Sequence, residues 1–131
     1  MNTRFEATEL GASLTVKDLD ASTAWYTDVV GFAVEKRYER EGNLFAVSLS
    51  AGSVRILLTR DDGAKGERAK GEGFSLQLTT TQGIDALAAG IRERGGVLEG
   101  DPMTNPWGAR FFRLRDPDGF RYTFSSGNAK S

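Results

Sequence analysis

The most informative stretch of the sequence is Leu114-Arg115-Asp116-Pro117-Asp118-Gly119-Phe120-Arg121-Tyr122-Thr123-Phe124. Two runs with strand-forming residues flank Asp-Pro-Asp-Gly, which has the composition of a tight turn. Pro117 presets φ for a turn, and Gly119 accepts the positive φ that many turns need. The stretch therefore predicts a strand pair joined by this turn.

The first half of the chain shows a strand, a helix and three further strands. Residues 12–16 alternate apolar and polar side chains, which indicates a half-buried strand. Asp20 is the predicted N-cap of a helix from Ala21 to about Val30, and Gly31 is the predicted stop. The three strands that follow are Phe32–Glu39, Leu44–Ala51 and Val54–Arg60.

The second half repeats this plan. Residues 74–79 alternate again, and a helix with apolar positions i, i+3, i+4 and i+7 begins at Ile84 and ends at Gly95-Gly96. The predicted strands that follow are Val97–Gly100, Ala109–Leu114 and Arg121–Ser125. We expect one α+β domain over residues 1–131, with βαβββ units at about 9–60 and 73–126. Residues 61–72 are charged and glycine-rich, and we interpret them as a connector.

Composition argues against several classes of function. The chain has 131 residues, a net charge of −1, no histidine and no cysteine. Such a charge creates no field that attracts nucleic acid or anionic lipid, and no apolar run approaches the roughly 20 residues of a membrane span. We therefore expect a cytoplasmic protein with no nucleic-acid partner, no membrane partner and no disulfide.

Three stretches together resemble the vicinal oxygen chelate superfamily, the group of glyoxalases, bleomycin resistance proteins and extradiol dioxygenases. They are residues 14–32, with Asp18-Leu19 and a final Gly31-Phe32, residues 84–96, and the hairpin 107–119 with its Asp-Pro-Asp-Gly turn. The resemblance implies that the two βαβββ units form a cupped mixed sheet. It also implies helices on the convex face and a ligand on the concave face.

The resemblance further implies where metal ligands would lie. In the superfamily's metalloenzymes, His, Glu, His and Glu ligands come from the first and fourth strands of paired units. These positions correspond to Gly11, Leu57, Ser75 and Thr123 in this chain. Glycine and leucine side chains offer no donor atom, and neutral hydroxyls bind divalent cations weakly without carboxylates beside them. We therefore expect no metal, no other cofactor, and no metal-dependent glyoxalase or dioxygenase activity.

Strand alternation identifies the side chains that would share the concave face with these four positions. They are small, polar and mostly uncharged, whereas the opposite parity is apolar. Arg55 and Arg121 can bind an anion through their guanidinium forks, or pair with acids at the rim. Trp107, Phe45 and Phe112 are candidate aromatic walls. The predicted ligand-binding residues are Ser13, Thr15, Arg55, Leu57, Thr59, Ser75, Gln77, Trp107, Phe112, Arg121 and Thr123.

No catalytic residue stands out, because a serine or threonine nucleophile would lack a histidine base. The leading hypothesis is a metal-independent small-molecule binding protein similar to the bleomycin-resistance branch, which sequesters an antibiotic or a metabolite. The resemblance implies a homodimer with cavities where units pair.

Two alternatives stay open. One is a metal-free lyase or isomerase that uses an Asp or Glu base, such as Glu9, Glu35 or Glu39, with Arg55 and Arg121 stabilising negative charge on the substrate. The other is a regulatory or scaffold module that binds another protein.

Overall fold

The computed structural model describes residues 4–63 and 72–127 of the chain. The first module consists of β1 (Ala12–Val16), α1 (Leu19–Ala24), β2 (Ala33–Arg40), β3 (Asn43–Ala51) and β4 (Val54–Arg60). Helix α1 continues directly into a π-helical segment, Trp25–Val30. The second module consists of β5 (Leu76–Thr79), α2 (Ile84–Glu93), β6 (Met103–Thr104), β7 (Arg110–Arg115) and β8 (Arg121–Ser125). Residues 64–71, most of the predicted connector, lie outside the described residues.

Each module forms its own four-stranded mixed sheet. The strand orders are β1-β4-β3-β2 and β5-β8-β7-β6. The first strand of each module pairs in parallel with the last, and the remaining neighbours are antiparallel. The helix carries the chain from the first strand to the second at the opposite edge of the sheet, and the next two strands return the chain to pair with the first. The predicted α+β architecture of two βαβββ units is therefore confirmed.

One apolar core joins the two modules. It contains inward-facing residues of both sheets, such as Leu58 and Phe112, together with helical residues such as Tyr26 and Ile91. Helix α1 packs on β3 and β4, α2 packs on β7, and α2 also contacts the π-helical segment. Each fully buried aliphatic or aromatic side chain contributes about 1.5–3 kcal/mol. We call the face that each sheet turns away from its helix the open face.

One predicted helix cap and one predicted strand are wrong. The N-cap of the first helix is Asp18, not Asp20, because the Asp18 carboxylate accepts a hydrogen bond from the backbone N–H of Ala21 at 3.0 Å. Residues 97–100 do not form a strand. Leu98 makes a single bridge to Leu114, and the left-handed φ of 104° at Gly100 then turns the chain away, so that the edge strand is β6 instead.

Candidate ligand-binding faces and a pocket between the modules

The open face of the first sheet carries neighbouring polar side chains from β1 and β4. The parallel register places Ser13 beside Leu57, and Thr15 beside Thr59. The two threonine hydroxyl oxygens lie 3.2 Å apart, within hydrogen-bond distance. Alternation puts these side chains opposite the buried Leu14 and the other core residues, so the predicted parity is confirmed for this sheet.

The open face of the second sheet also carries neighbouring polar side chains from its first and last strands, together with several arginines. Gln77 lies beside Thr123, and Thr123 lies beside Arg113 on the next strand. Arg121 is paired in register with Arg115. Arg113 and Arg115 were not among the predicted ligand-binding residues, although strand alternation along β7 places both on the face of Thr123.

The predicted ligand-binding residues form two groups rather than one. Ser13, Thr15, Arg55, Leu57 and Thr59 belong to the first sheet, whereas Gln77, Arg121 and Thr123 belong to the second. Ser75 comes directly before β5. No backbone hydrogen-bonding ladder joins the two sheets within the described ranges.

Both predicted arginines are paired with carboxylates. Arg55 Nε lies 3.2 Å from Glu35 Oε1, and Arg121 Nε lies 3.4 Å from Glu99 Oε1. Glu99 also accepts a hydrogen bond from Arg115 at 3.2 Å. These pairs are exposed to solvent and contribute little stability. An anionic ligand at either site would therefore compete with a carboxylate that already occupies the guanidinium.

The positions implied by the metalloenzyme resemblance contain no strong metal ligand. Leu57 and Thr123 occupy equivalent places on the open faces, beside Ser13 and Gln77. Gly11 and Ser75 come immediately before β1 and β5. Across residues 4–63 and 72–127, no group of three or more His, Cys, Asp and Glu side chains could hold a metal ion. This donor set does not fit the metal centre of the metalloenzymes.

The predicted aromatic walls need one correction. Phe112 is only 1% exposed and stacks on Phe124 in the core, with ring centroids 4.9 Å apart. It therefore lies on the helix side of β7 and cannot line an open face. Its neighbour Phe111 has the opposite orientation, and the Arg113 guanidinium lies over its ring at 5.1 Å. Trp107 is 70% exposed in the hairpin between β6 and β7.

The Asp-Pro-Asp-Gly turn anchors the second module to the first. The Asp118 carboxylate accepts hydrogen bonds from the backbone N–H of Lys17 at 3.0 Å and from the Ser22 hydroxyl at 3.3 Å. Asp116 Oδ1 accepts from the backbone N–H groups of Asp118 and Phe120, which fixes the turn. Both aspartates therefore have structural roles.

A buried chain of hydrogen bonds continues from this turn into the core. The Tyr26 hydroxyl donates to Asp116 Oδ2 at 2.7 Å, so Tyr122, whose oxygen is 2.8 Å away, donates to Tyr26. Burial raises the pKa of both tyrosines. Burial also raises the pKa of Asp116, although its hydrogen bonds favour the carboxylate. Because neither tyrosine ionises easily there, the network has a structural role and holds the two modules together through hydrogen bonds.

A cavity of about 630 Å³ lies between the modules. We call it the seam pocket. Its wall includes Phe32 after the π-helical segment, Val54 at the start of β4, Leu87 on α2 and Phe124 on β8, with Gln82 from the β5–α2 linker. None of the predicted ligand-binding residues is among the described residues that line it.

Two βαβββ modules around a shared core define a known class of α+β domain. Residues 9–124 match the family model of the Glyoxalase/Bleomycin resistance protein/Dioxygenase superfamily. The chain belongs to this superfamily, as its sequence suggested. No curated protein matches the sequence significantly.

Solved structures share this fold at low sequence identity. TioX from Micromonospora sp. ML1 is 20% identical, with a TM-score of 0.72 over 91% of this chain and 98% of that one. A superfamily member from Sphaerobacter thermophilus DSM 20745 is 23% identical, with a TM-score of 0.75 over 92% and 97%. Lactoylglutathione lyase from Agrobacterium tumefaciens is 19% identical, with a TM-score of 0.69 over 93% and 95%. These likenesses concern the fold.

The helices show no membrane-spanning character. No helix in the described part of the chain is long and apolar enough to cross a bilayer.

Proposed function

We propose that the chain is a metal-independent small-molecule binding protein, similar to the bleomycin-resistance branch of its superfamily, which sequesters an antibiotic or a metabolite. The observation that carries the proposal is the side-chain inventory at the four positions of the superfamily's metal ligands. Gly11, Leu57, Ser75 and Thr123 supply two hydroxyls and no imidazole or carboxylate. Zinc, nickel and non-haem iron bind preferentially to imidazole, carboxylate and thiolate groups.

The chemistry of the open faces supports binding rather than catalysis. Ser13, Thr15, Thr59, Gln77 and Thr123 offer hydroxyl and amide groups that can donate and accept hydrogen bonds. Nucleophilic use of a hydroxyl requires an adjacent base, and the sequence contains no histidine. Sequestration requires only a complementary surface with limited reorganisation, which such side chains can provide.

A second copy of the chain would complete the ligand site. The candidate residues lie in two groups on separate sheets, so an open face needs another surface to enclose a ligand. A homodimer that pairs the first sheet of one copy with the second sheet of its partner supplies that surface twice, as two-fold symmetry requires. Sedimentation velocity at micromolar concentration tests for this homodimer, and we expect the protein to sediment as a dimer.

The direct test is a thermal-shift and calorimetric screen with EDTA present throughout. The ligands are bleomycin, other aromatic antibiotics and a library of intracellular metabolites. We expect at least one ligand to raise the melting temperature, as binding to the native state requires. We also expect Thr123→Arg to weaken its binding at least tenfold. Ala89→Arg, on the exposed side of α2, is the matched control and should bind normally. A protein that gains stability from no ligand, or that binds only after divalent metal is added, contradicts the proposal.

One observation favours a second candidate, a metal-free lyase or isomerase. Of the candidate bases, Glu35 lies beside an arginine, because its carboxylate pairs with Arg55 at 3.2 Å. A carboxylate base next to a cation that binds a substrate anion can abstract a proton. Turnover of a bound ligand that Glu35→Gln abolishes, with ligand affinity retained, would favour this candidate.

A further inference from the structure

The two ends of the boundary between the modules differ in packing. At one end, the Asp-Pro-Asp-Gly turn reaches across and its Asp118 carboxylate contacts Lys17 and Ser22 of the first module. The seam pocket lies at the other end, between the β3–β4 turn and the β5–α2 linker. The two modules have the same strand order, so these ends are equivalent places in the repeated plan.

The helices identify which residues correspond. Leu19, Ser22, Thr23 and Tyr26 face the core from the first helix, and Ile84, Leu87, Ala88 and Ile91 have the same spacing on α2. Ser22 therefore corresponds to Leu87, and the linker residue Lys17 corresponds to Gln82. Ser22 and Lys17 receive the turn, whereas Leu87 and Gln82 line the seam pocket.

A difference in turn length explains why the pocket exists. Five residues, 116–120, separate β7 from β8, but only Gly52 and Ser53 separate β3 from β4. The shorter turn cannot reach α2 as the longer turn reaches α1. The space that a turn fills at one end is therefore left as a cavity at the other.

The pocket wall selects for an uncharged ligand. Phe32, Val54, Leu87 and Phe124 provide apolar surface, while Thr79 and Gln82 provide hydrogen-bonding groups. Among the described residues that line it, none carries a charge. A buried charged ligand would lack a counter-charge there and would pay a large desolvation penalty. The volume of about 630 Å³ is within the range of roughly 300–1,000 Å³ that is typical of small-molecule sites.

We propose that the seam pocket, where the short β3–β4 turn leaves Leu87 and Gln82 uncovered, binds an uncharged organic molecule with an apolar body and one or two hydrogen-bonding groups. None of the ligand-binding residues predicted from the sequence is among the described residues that line this site. A ligand there would contact both modules at once, so its binding would also stabilise their packing.

The test uses two fluorescent probes with the same ring system. N-phenyl-1-naphthylamine is uncharged, and 8-anilino-1-naphthalenesulfonate adds a sulfonate. We expect the uncharged probe to bind the full-length protein saturably with one site per chain, and the sulfonate to bind at least tenfold more weakly.

Variants then locate the bound probe. Leu87→Trp fills the pocket from α2, and Ser53→Trp fills it from the exposed turn, where substitution leaves the core intact. Both should weaken binding of the uncharged probe at least tenfold. Two controls should bind it normally: Ala89→Trp on the exposed side of α2, and Thr123→Arg on the open face, which instead tests the function proposed above.

Three results would overturn the inference. The first is that the uncharged probe does not bind saturably. The second is that folded Ser53→Trp and Leu87→Trp bind it as the wild type does, and the third is that Thr123→Arg loses its binding. Equal affinity for the two probes would refute the selection for an uncharged ligand.

Discussion

Replacement of Tyr26 by phenylalanine tests whether the buried hydrogen-bond chain fastens the two modules together. The Tyr26 hydroxyl donates to Asp116 Oδ2 at 2.7 Å and accepts from the Tyr122 hydroxyl at 2.8 Å. Tyr26 is only 1% exposed, so water cannot replace the lost oxygen without a rearrangement. A hydrogen bond to a charged group contributes about 1.5–3 kcal/mol, and a buried polar group without a partner costs about 1–3 kcal/mol.

These contributions overlap, because Tyr122 can turn partly toward Asp116 after the substitution. We therefore expect Tyr26→Phe to lower the free energy of unfolding by about 2–4 kcal/mol, a large share of the roughly 5–15 kcal/mol that holds a typical domain together. Urea denaturation followed by tryptophan fluorescence and by circular dichroism measures this change. The fluorescence and circular-dichroism transitions should have the same urea midpoint if the modules unfold together.

Two controls make the result specific. Tyr38→Phe changes a tyrosine on β2 whose ring packs against Phe45, outside the core, and should alter stability by less than about 0.5 kcal/mol. In a double-mutant cycle, Tyr26→Phe and Tyr122→Phe should be coupled by about 1 kcal/mol or more, because the hydroxyls are in contact. A loss below about 1 kcal/mol for Tyr26→Phe, or additive effects in the cycle, would refute this description of the network.

Other substitutions test the turn, the network and the helix end. Burial raises the pKa of Asp116 in the folded protein. The stability that this shift contributes is therefore fully present below the ordinary aspartate pKa of about 3.9, and it is lost as the pH rises through the raised pKa. Asp116→Asn should therefore gain stability relative to wild type between pH 4 and pH 7 in urea titrations, and a relative loss would contradict the direction of the shift. Asp118→Ala removes the acceptor for Lys17 and Ser22 and should cost about 1–2 kcal/mol by the same assay; an unchanged midpoint would show that the contact is dispensable. Gly31→Ala forces a side chain into a left-handed backbone with φ of 113° and should cost about 1–2 kcal/mol. Gly11→Ala, which meets open space without a positive φ, should be nearly neutral, and equal effects would refute the strain argument.

Local patterns in the sequence were sufficient to predict the fold. Strand alternation, the apolar positions of α2 and the Asp-Pro-Asp-Gly turn each depend on residues that are close in the chain. Alternation also placed Leu57 and Thr123 on the face away from the helices, because one buried face fixes the orientation of every side chain in a strand. The superfamily was predicted from the resemblance of three stretches, residues 14–32, 84–96 and 107–119, to its members.

Several features of the site depend on packing that local patterns do not describe. Phe112 is an exception, because strand alternation along β7 already groups it with the apolar Leu114 and groups Phe111 with Arg113. Asp18 and Asp20 both suit an N-cap, and Asp18 is the cap because the helix already begins at Leu19, whose side chain is buried. The bond from Tyr26 to Asp116 joins residues 90 positions apart. The seam pocket results from the difference in length between two distant turns, which no single motif predicts.

The proposed function requires that this member of the superfamily bind its ligand without a metal. Native mass spectrometry of freshly purified full-length protein, sprayed after EDTA treatment and again with excess Ni²⁺ or Zn²⁺, tests it directly. We expect an organic adduct that survives EDTA, and no stoichiometric adduct with Ni²⁺ or Zn²⁺. One tightly bound metal ion per chain, or an organic adduct that forms only when the metal is present, would contradict it.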